Sequence, residues 1–139
     1  MIIQMIERHS IKDLPELTRK KNKYGVNPDK LKRTYKGVIY ASVMEMKRAY
    51  YLDHCAGVIW FRQIPIILGD AGFKFIPDFM VLHGVDQYCR CFRIHFEDVK
   101  GFKTQRFNDI RKHWQAFGKF PLRIMTYKSG WREIERIEP

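Results

Sequence analysis

The sequence predicts one mixed α/β domain built on a central sheet, with its elements in the order β, α, β, β, β, α, β. Three observations carry this. Stretches rich in β-branched and aromatic residues recur between Tyr35 and Tyr127 with the period of a strand. Two segments, opening at Ser42 and Thr104, place apolar residues at helical spacing instead. A chain of 139 residues can bury one core but not two. Hydrophobic residues make up 45% and aromatics 14%, which favours a folded chain over a disordered one, and no repeat or low-complexity segment interrupts it.

Taken in order, residues 1–33 read as a basic N-terminal arm and residues 34–139 as the domain. The arm has a short apolar start, Pro15, the basic run Arg19-Lys20-Lys21-Asn22-Lys23, and the turn-like Gly25-Val26-Asn27-Pro28-Asp29. Tyr35 to Ala41 reads as a strand around Gly37. Ser42-Val43-Met44-Glu45 has the spacing of a capping box and opens a helix running to about Cys55, with Gly57 as its stop. Val58 to Leu68 is a strand pair or a bent strand broken at Pro65. Gly69-Asp70-Ala71-Gly72 is a turn, and Phe73 to Leu82 is a strand that carries Asp78. Gly84-Val85-Asp86 turns the chain back into Tyr88 to Lys100, the longest alternating pattern. Thr104 caps a helix over 105–117 whose stripe is Phe107, Ile110, Trp114 and Phe117. Pro121 breaks the pattern, and Leu122 to Tyr127 is the last strand.

Charge bounds the partners. Twenty-six Lys and Arg stand against fifteen Asp and Glu, a net +11. Charge of that size speaks about association rather than fold, and nucleic acid is the first polyanion to consider, ahead of an acidic membrane surface. The excess belongs to the two ends: residues 1–34 hold nine basic and four acidic side chains, 100–139 hold ten and four, and the middle holds seven of each. No run of about 18 apolar residues exists to span a membrane, and Met1 to Ile6 is too short an apolar run for a signal peptide. Three cysteines, an odd number, fit free thiols in a reducing compartment, so a cytoplasmic location is expected. Cys89-x-Cys91 lacks a second pair at zinc-binding spacing.

The acidic centre carries the chemistry. Along the strand at 92–100, Phe92, Ile94, Phe96, Asp98 and Lys100 share one face, while Arg93, His95 and Glu97 share the other, where solvent is expected. An apolar face that ends in Asp98 and Lys100 needs a partner for its charges. On the preceding strand Asp78 follows Pro77 and shares a face with Ile76 and Met80. A hairpin would align the two aspartates, and a divalent cation relieves their repulsion. Mg²⁺, which takes one or two carboxylates together with waters and phosphate oxygens, matches this supply. Lys100 would then position a water or neutralise developing charge. The alternative is a structural Asp98–Lys100 ion pair beside an Asp78 held in a turn.

Glu45 is the third acid, either a capping-box residue only or a ligand reaching the metal from the start of the Ala49, Leu52 and Ala56 stripe. Gln63 is a core amide or a supporting contact, and Thr104 a helix cap or a phosphate contact. Lys20, Lys21, Lys23, Lys103, Arg106, Arg111 and Lys112 are candidate contacts to a DNA backbone. Tyr24, Tyr35, Tyr40 and Trp131 are candidates for stacking on bases or for packing. The five histidines show no metal or triad spacing.

At Glu45, Pro77-Asp78, Asp98 and Lys100 the chain resembles the PD-(D/E)xK nuclease superfamily. More narrowly, Lys23-Tyr24-Gly25, Ser42-x-x-Glu45, Pro77-Asp78-Phe79 and Glu97-Asp98-Val99-Lys100-Gly101-x-x-Thr104 look like a phage-encoded, Holliday-junction-resolvase-like family often catalogued only as a domain of unknown function. The likeness spans about residues 23–127. It implies a restriction-endonuclease-like core, Glu45, Asp78 and Asp98 as metal ligands with Lys100 as their catalytic partner, and hydrolysis dependent on Mg²⁺, with Mn²⁺ able to substitute. It also implies DNA as substrate, branched DNA above all, and a homodimer. The second acid is Asp98 where many members of that superfamily have Glu, with Glu97 adjacent. The competing expectations are a basic DNA-binding protein without catalysis, and a sequence-specific or single-strand nuclease.

Overall fold

The computed structural model of the chain describes residues 26–84, 92–100 and 105–139. A mixed five-stranded sheet forms its centre: β3 (Val58–Arg62), β6 (Phe79–His83), β7 (Arg93–Val99), β8 (Leu122–Tyr127) and β9 (Trp131–Ile137), hydrogen-bonded in that order. All neighbours run antiparallel except β7 and β8, which are joined in parallel by the crossover helix α2 (Gln105–Phe117). Helix α1 (Val43–Asp53) packs Ala49 and Leu52 against Phe79, Val81 and Val99 on one face. On the other, Phe107, Ile110 and Trp114 of α2 pack with Phe96, Leu122, Ile124 and Ile137. The domain is therefore α/β with helices on both faces of its sheet, and the sheet's period of two divides each strand between two cores. Among the described residues no helix is long and apolar enough to cross a membrane.

Two smaller ribbons flank the sheet. The strand expected over Tyr35 to Ala41 is a hairpin instead: β1 (Thr34–Tyr35) and β2 (Val38–Ile39) pair across Lys36-Gly37, both with positive φ. That is the two-residue turn whose twist suits a hairpin, and glycine at its second position makes it accessible. β4 (Ile66–Leu68) and β5 (Phe73–Phe75) form the second ribbon, across the expected turn at Gly69 to Gly72. Its Leu68 and Phe75 join the α2 core. The strand expected over 73–82 is thus two strands, parted at Ile76-Pro77-Asp78. Pro77 has no N–H to give a ladder and holds Ile76 extended, so pairing restarts beyond it.

Three further expectations are corrected. Helix α1 ends at Asp53 rather than Cys55, and Gly57, in the left-handed region, completes the exit. Phe117, expected in the α2 stripe, is 52% exposed at the end of the helix. Strand β9 was not expected at all. Its apolar residues, Trp131, Ile134 and Ile137, recur at every third position among charged ones, at the sheet's edge, where charge discourages pairing with other chains.

Candidate active site

Asp78 and Asp98 meet across β6 and β7. The register pairs Phe79 with Glu97, so one step further along it Asp78 faces Asp98 on the α2 side of the sheet. A strand break and two contacts fix Asp78. The break at Pro77 ends the ladder before it, the Gln63 N–H donates to its carbonyl at 3.1 Å, and the Val99 N–H donates to its Oδ2 at 2.7 Å. Lys100 follows at the end of β7, its own N–H held by the Met125 carbonyl at 3.0 Å. With Lys74, Ile76, Arg106 and Ile110 these residues line an open cleft of about 520 Å³.

Lys100 Nζ stands 2.5 Å from Asp98 Oδ2. Oδ2 is buried and Lys100 is its close partner, so the ammonium balances the Asp98 charge directly. Asp98 is 4% exposed, so this pairing is made in a place water reaches poorly. Burial pushes the Asp78 carboxyl up to about 8. Asp98 and Glu45 add to the rise, and the Val99 N–H and Lys100 oppose it. Asp78 is thus held protonated at neutral pH by burial and by the acids beside it, and a divalent cation taking both side chains, with waters and phosphate oxygens, would draw that proton off.

Glu45 arrives from the other side. Ser42 caps α1 as expected by accepting from the Glu45 N–H at 3.1 Å, and the Glu45 carboxylate accepts from the Ser42 hydroxyl at 3.2 Å. Glu45 is nonetheless buried, and that burial raises its pKa, against the Ser42 and Ala41 hydrogen bonds and with a contribution from Asp98. It is an electrostatic neighbour of the two aspartates without lining their cleft. Among the described residues no three Asp, Glu, His or Cys side chains close into a ready cage for an ion. The cleft thus offers two carboxylates, with Glu45 behind them.

The remaining candidates separate. Arg106 lines the cleft. Arg111 is bound to Glu135 at 2.6 Å and lies over the Phe107 ring, while Lys112 is exposed on α2. Gln63 is no core amide: it sits exposed at the end of β3 with φ of 51°, and its backbone serves Asp78. Tyr40 is core, under the Arg62 guanidinium, and Tyr35 binds Asp53 at 2.9 Å. Lys20, Lys21, Lys23, Tyr24, Cys89, Cys91, Lys103 and Thr104 lie outside the described residues.

Glu97 overturns its expectation. It is wholly buried, and so is His95, because α1 covers the face on which solvent was expected. Arg48 of α1 donates to both its oxygens at 2.7 Å, and His95 Nε2 lies 2.8 Å from Oε1. Glu97 is thereby committed on the α1 side, and Asp98 is the acid of the pair that lines the cleft. Neither Arg48 nor Lys74 was anticipated; a pair formed across 49 residues of sequence leaves no local pattern to read.

The Asp78 shift has a measurable sign. Its folded pKa lies above the unfolded value near 3.8, so its contribution to stability is complete below that pH and is lost as pH rises through about 8. In chelator, the melting temperature should fall by several °C between about pH 4 and pH 8. Asp78→Asn should flatten that slope, and an unchanged slope would remove the electrostatic account of this site. Compared with known proteins, the chain matches no family model and no curated sequence.

Proposed function

We propose that the protein is a divalent-metal-dependent DNA endonuclease, selective for branched DNA in the manner of a junction resolvase, on a restriction-endonuclease-like fold. The observation that carries this reading is the facing of Asp78 and Asp98 across β6 and β7, with Lys100 on the same face of the same cleft. A net charge of +11 supplies the general attraction to a nucleic-acid backbone.

Asp78 and Asp98 would hold Mg²⁺, or Mn²⁺ in its place, with Glu45 steadying the charge behind them. When bound, the ion supplies a Lewis acid for the scissile phosphate and lowers the pKa of a coordinated water. Lys100, already beside Asp98, would orient the attacking water and offset charge growing on the phosphate. Arg106 and Lys74 at the cleft's border would hold the flanking backbone as point charges without reading bases. Such contacts recognise shape rather than sequence, which is why branched DNA is the favoured substrate. Paired incisions across a junction would come from two copies of the chain.

Incubation with a labelled four-way junction, a matched duplex and a matched single strand decides the matter. The expected result is Mg²⁺-dependent cutting of the junction well above the other two, abolished by chelator. Binding measured in chelator should weaken by about 10³ to 10⁵ between roughly 50 and 200 mM salt if six to ten phosphates are contacted. Equal cutting of all three would remove the selectivity, and salt-sensitive binding with no nicking in any metal would leave a DNA-binding protein without catalysis.

A further inference from the structure

On the opposite face of the sheet, α1 and strands β3 and β6 to β9 line a second, open cavity of about 370 Å³ that the nuclease reading does not use. It reaches His83 at the end of β6 remote from Asp78. Its volume lies toward the small end of ligand pockets, roughly 300–1,000 Å³. Leu52, Val58 and Val81 make an apolar part of the wall, Tyr51 and Trp131 an aromatic part, and Arg48, His95 and Arg123, with the carboxylates of Glu97 and Glu133, a polar part.

The polar wall has more donors than acceptors. Both oxygens of Glu97 are taken, Oε2 by Arg48 Nε and Oε1 by Arg48 Nη2 and His95. Both oxygens of Glu133 are taken by Arg123 Nε and by Arg136. The bond to Glu97 places the His95 proton on Nε2. Arg123 Nη1, 3.3 Å from that nitrogen, therefore meets an N–H instead of a lone pair, and it is 3.9 Å from Glu97 Oε1. Arg48 is 4% exposed, its guanidinium held 4.9 Å from the ring centres of both Tyr51 and Trp131, and its Nη1 takes no part in the fork to Glu97. With both carboxylates already engaged, Arg48 Nη1 and Arg123 Nη1 remain as donors for acceptor oxygens that a ligand would bring.

We infer that this cavity is a phosphate-monoester site, in which Arg123 and the free edge of Arg48 bind the phosphoryl oxygens and the apolar and aromatic wall takes the group esterified to it. Guanidinium forks bind such oxygens by charge-assisted hydrogen bonds, and a monoester presents three oxygens where a backbone diester presents two. The monoester has two sources, a free nucleotide or the 5′ end of a strand. The site is separate from the Asp78–Asp98 cleft, so its test does not depend on cleavage.

Calorimetric titration at fixed ionic strength, in chelator, would compare thymidine, thymidine 5′-monophosphate, and an oligothymidylate with and without a 5′-phosphate. Saturable binding of the monophosphate and none of thymidine is the expected result. Tighter binding of the phosphorylated oligonucleotide than of its unphosphorylated twin assigns the site to strand ends; no difference between the two, with the monophosphate still bound, assigns it to free nucleotides. Arg123→Gln should weaken monophosphate binding about tenfold or more, the size of a lost charge-assisted hydrogen bond, and His83→Ala at the cavity wall serves as a second variant should the first disturb folding. Junction cutting should be unchanged in both. Monophosphate binding no tighter than that of thymidine, or equal binding by wild type and both folded variants, would overturn the site.

Discussion

Replacing Asp98 by Asn is expected to lower Mg²⁺-dependent cleavage by at least about a thousandfold, the rate equivalent of several kcal/mol of transition-state stabilisation by a bound cation. The substitution keeps shape and removes charge. Asp98 Oδ2 is buried and paired with Lys100, so the amide would leave a bound cation short of a ligand and Lys100 short of its anchor. DNA affinity in chelator should hold or rise, since a carboxylate facing a phosphate is repulsive. A separate loss in Lys100→Ala, with metal affinity intact, would assign the lysine to the water or phosphate instead of to the ion. Comparable cleavage by Asp98→Asn and wild type, both folded, would end the metal-hydrolase reading.

Much of this corner was legible in the sequence because it is built from local rules. Alternation along β7 put Asp98 and Lys100 on one face, and Ser42 with Glu45 announced the start of α1, whereas the break at Pro77 that sets Asp78 was read as continuous strand. Helix α2 falls on residues 105–117, where the helical spacing of Phe107, Ile110 and Trp114 placed it. What stayed hidden depends on partners distant in sequence. The solvent expected beside Glu97 follows from counting faces on one strand; only the docking of α1 turns that face inward, and Arg48 looks like any surface cation until it does. β9 escaped because the charges that protect an edge strand also mask its period. Gly37, read as the middle of a strand, is half of a turn: its permissive backbone serves a hairpin that β-branched neighbours conceal.

The Arg48–Glu97 pair should give the largest stability effect in the molecule. Arg48→Met removes the bidentate partner of a carboxylate that is 0% exposed, and breaking a buried pair from one side costs about 3–5 kcal/mol. Burial alone would raise the Glu97 pKa, but hydrogen bonds from His95 and Arg48 outweigh it and hold the carboxyl at about 2. The sign is opposite to that of Asp78. This folded pKa lies below the unfolded value near 4.5, so the stability it contributes is present above pH 4.5 and is lost as pH falls towards 2, on the order of 3 kcal/mol in all. Denaturant titrations across that range should show wild type losing this increment. The double variant Arg48→Met with Glu97→Leu should show almost none of the loss, and should recover much of what Arg48→Met alone forfeits, because a well-packed apolar pair can replace a buried ionic one at little cost. Strand β7 carries both Glu97 and Asp98, and α1 carries both Arg48 and Glu45. The same ion pair therefore holds two of the three candidate acids in mutual register. If the double variant is stable yet cuts DNA slowly with a raised Mg²⁺ requirement, the pair positions the site as well as stabilising the fold. If it is stable and cuts at the wild-type rate and Mg²⁺ requirement, its role is confined to stability.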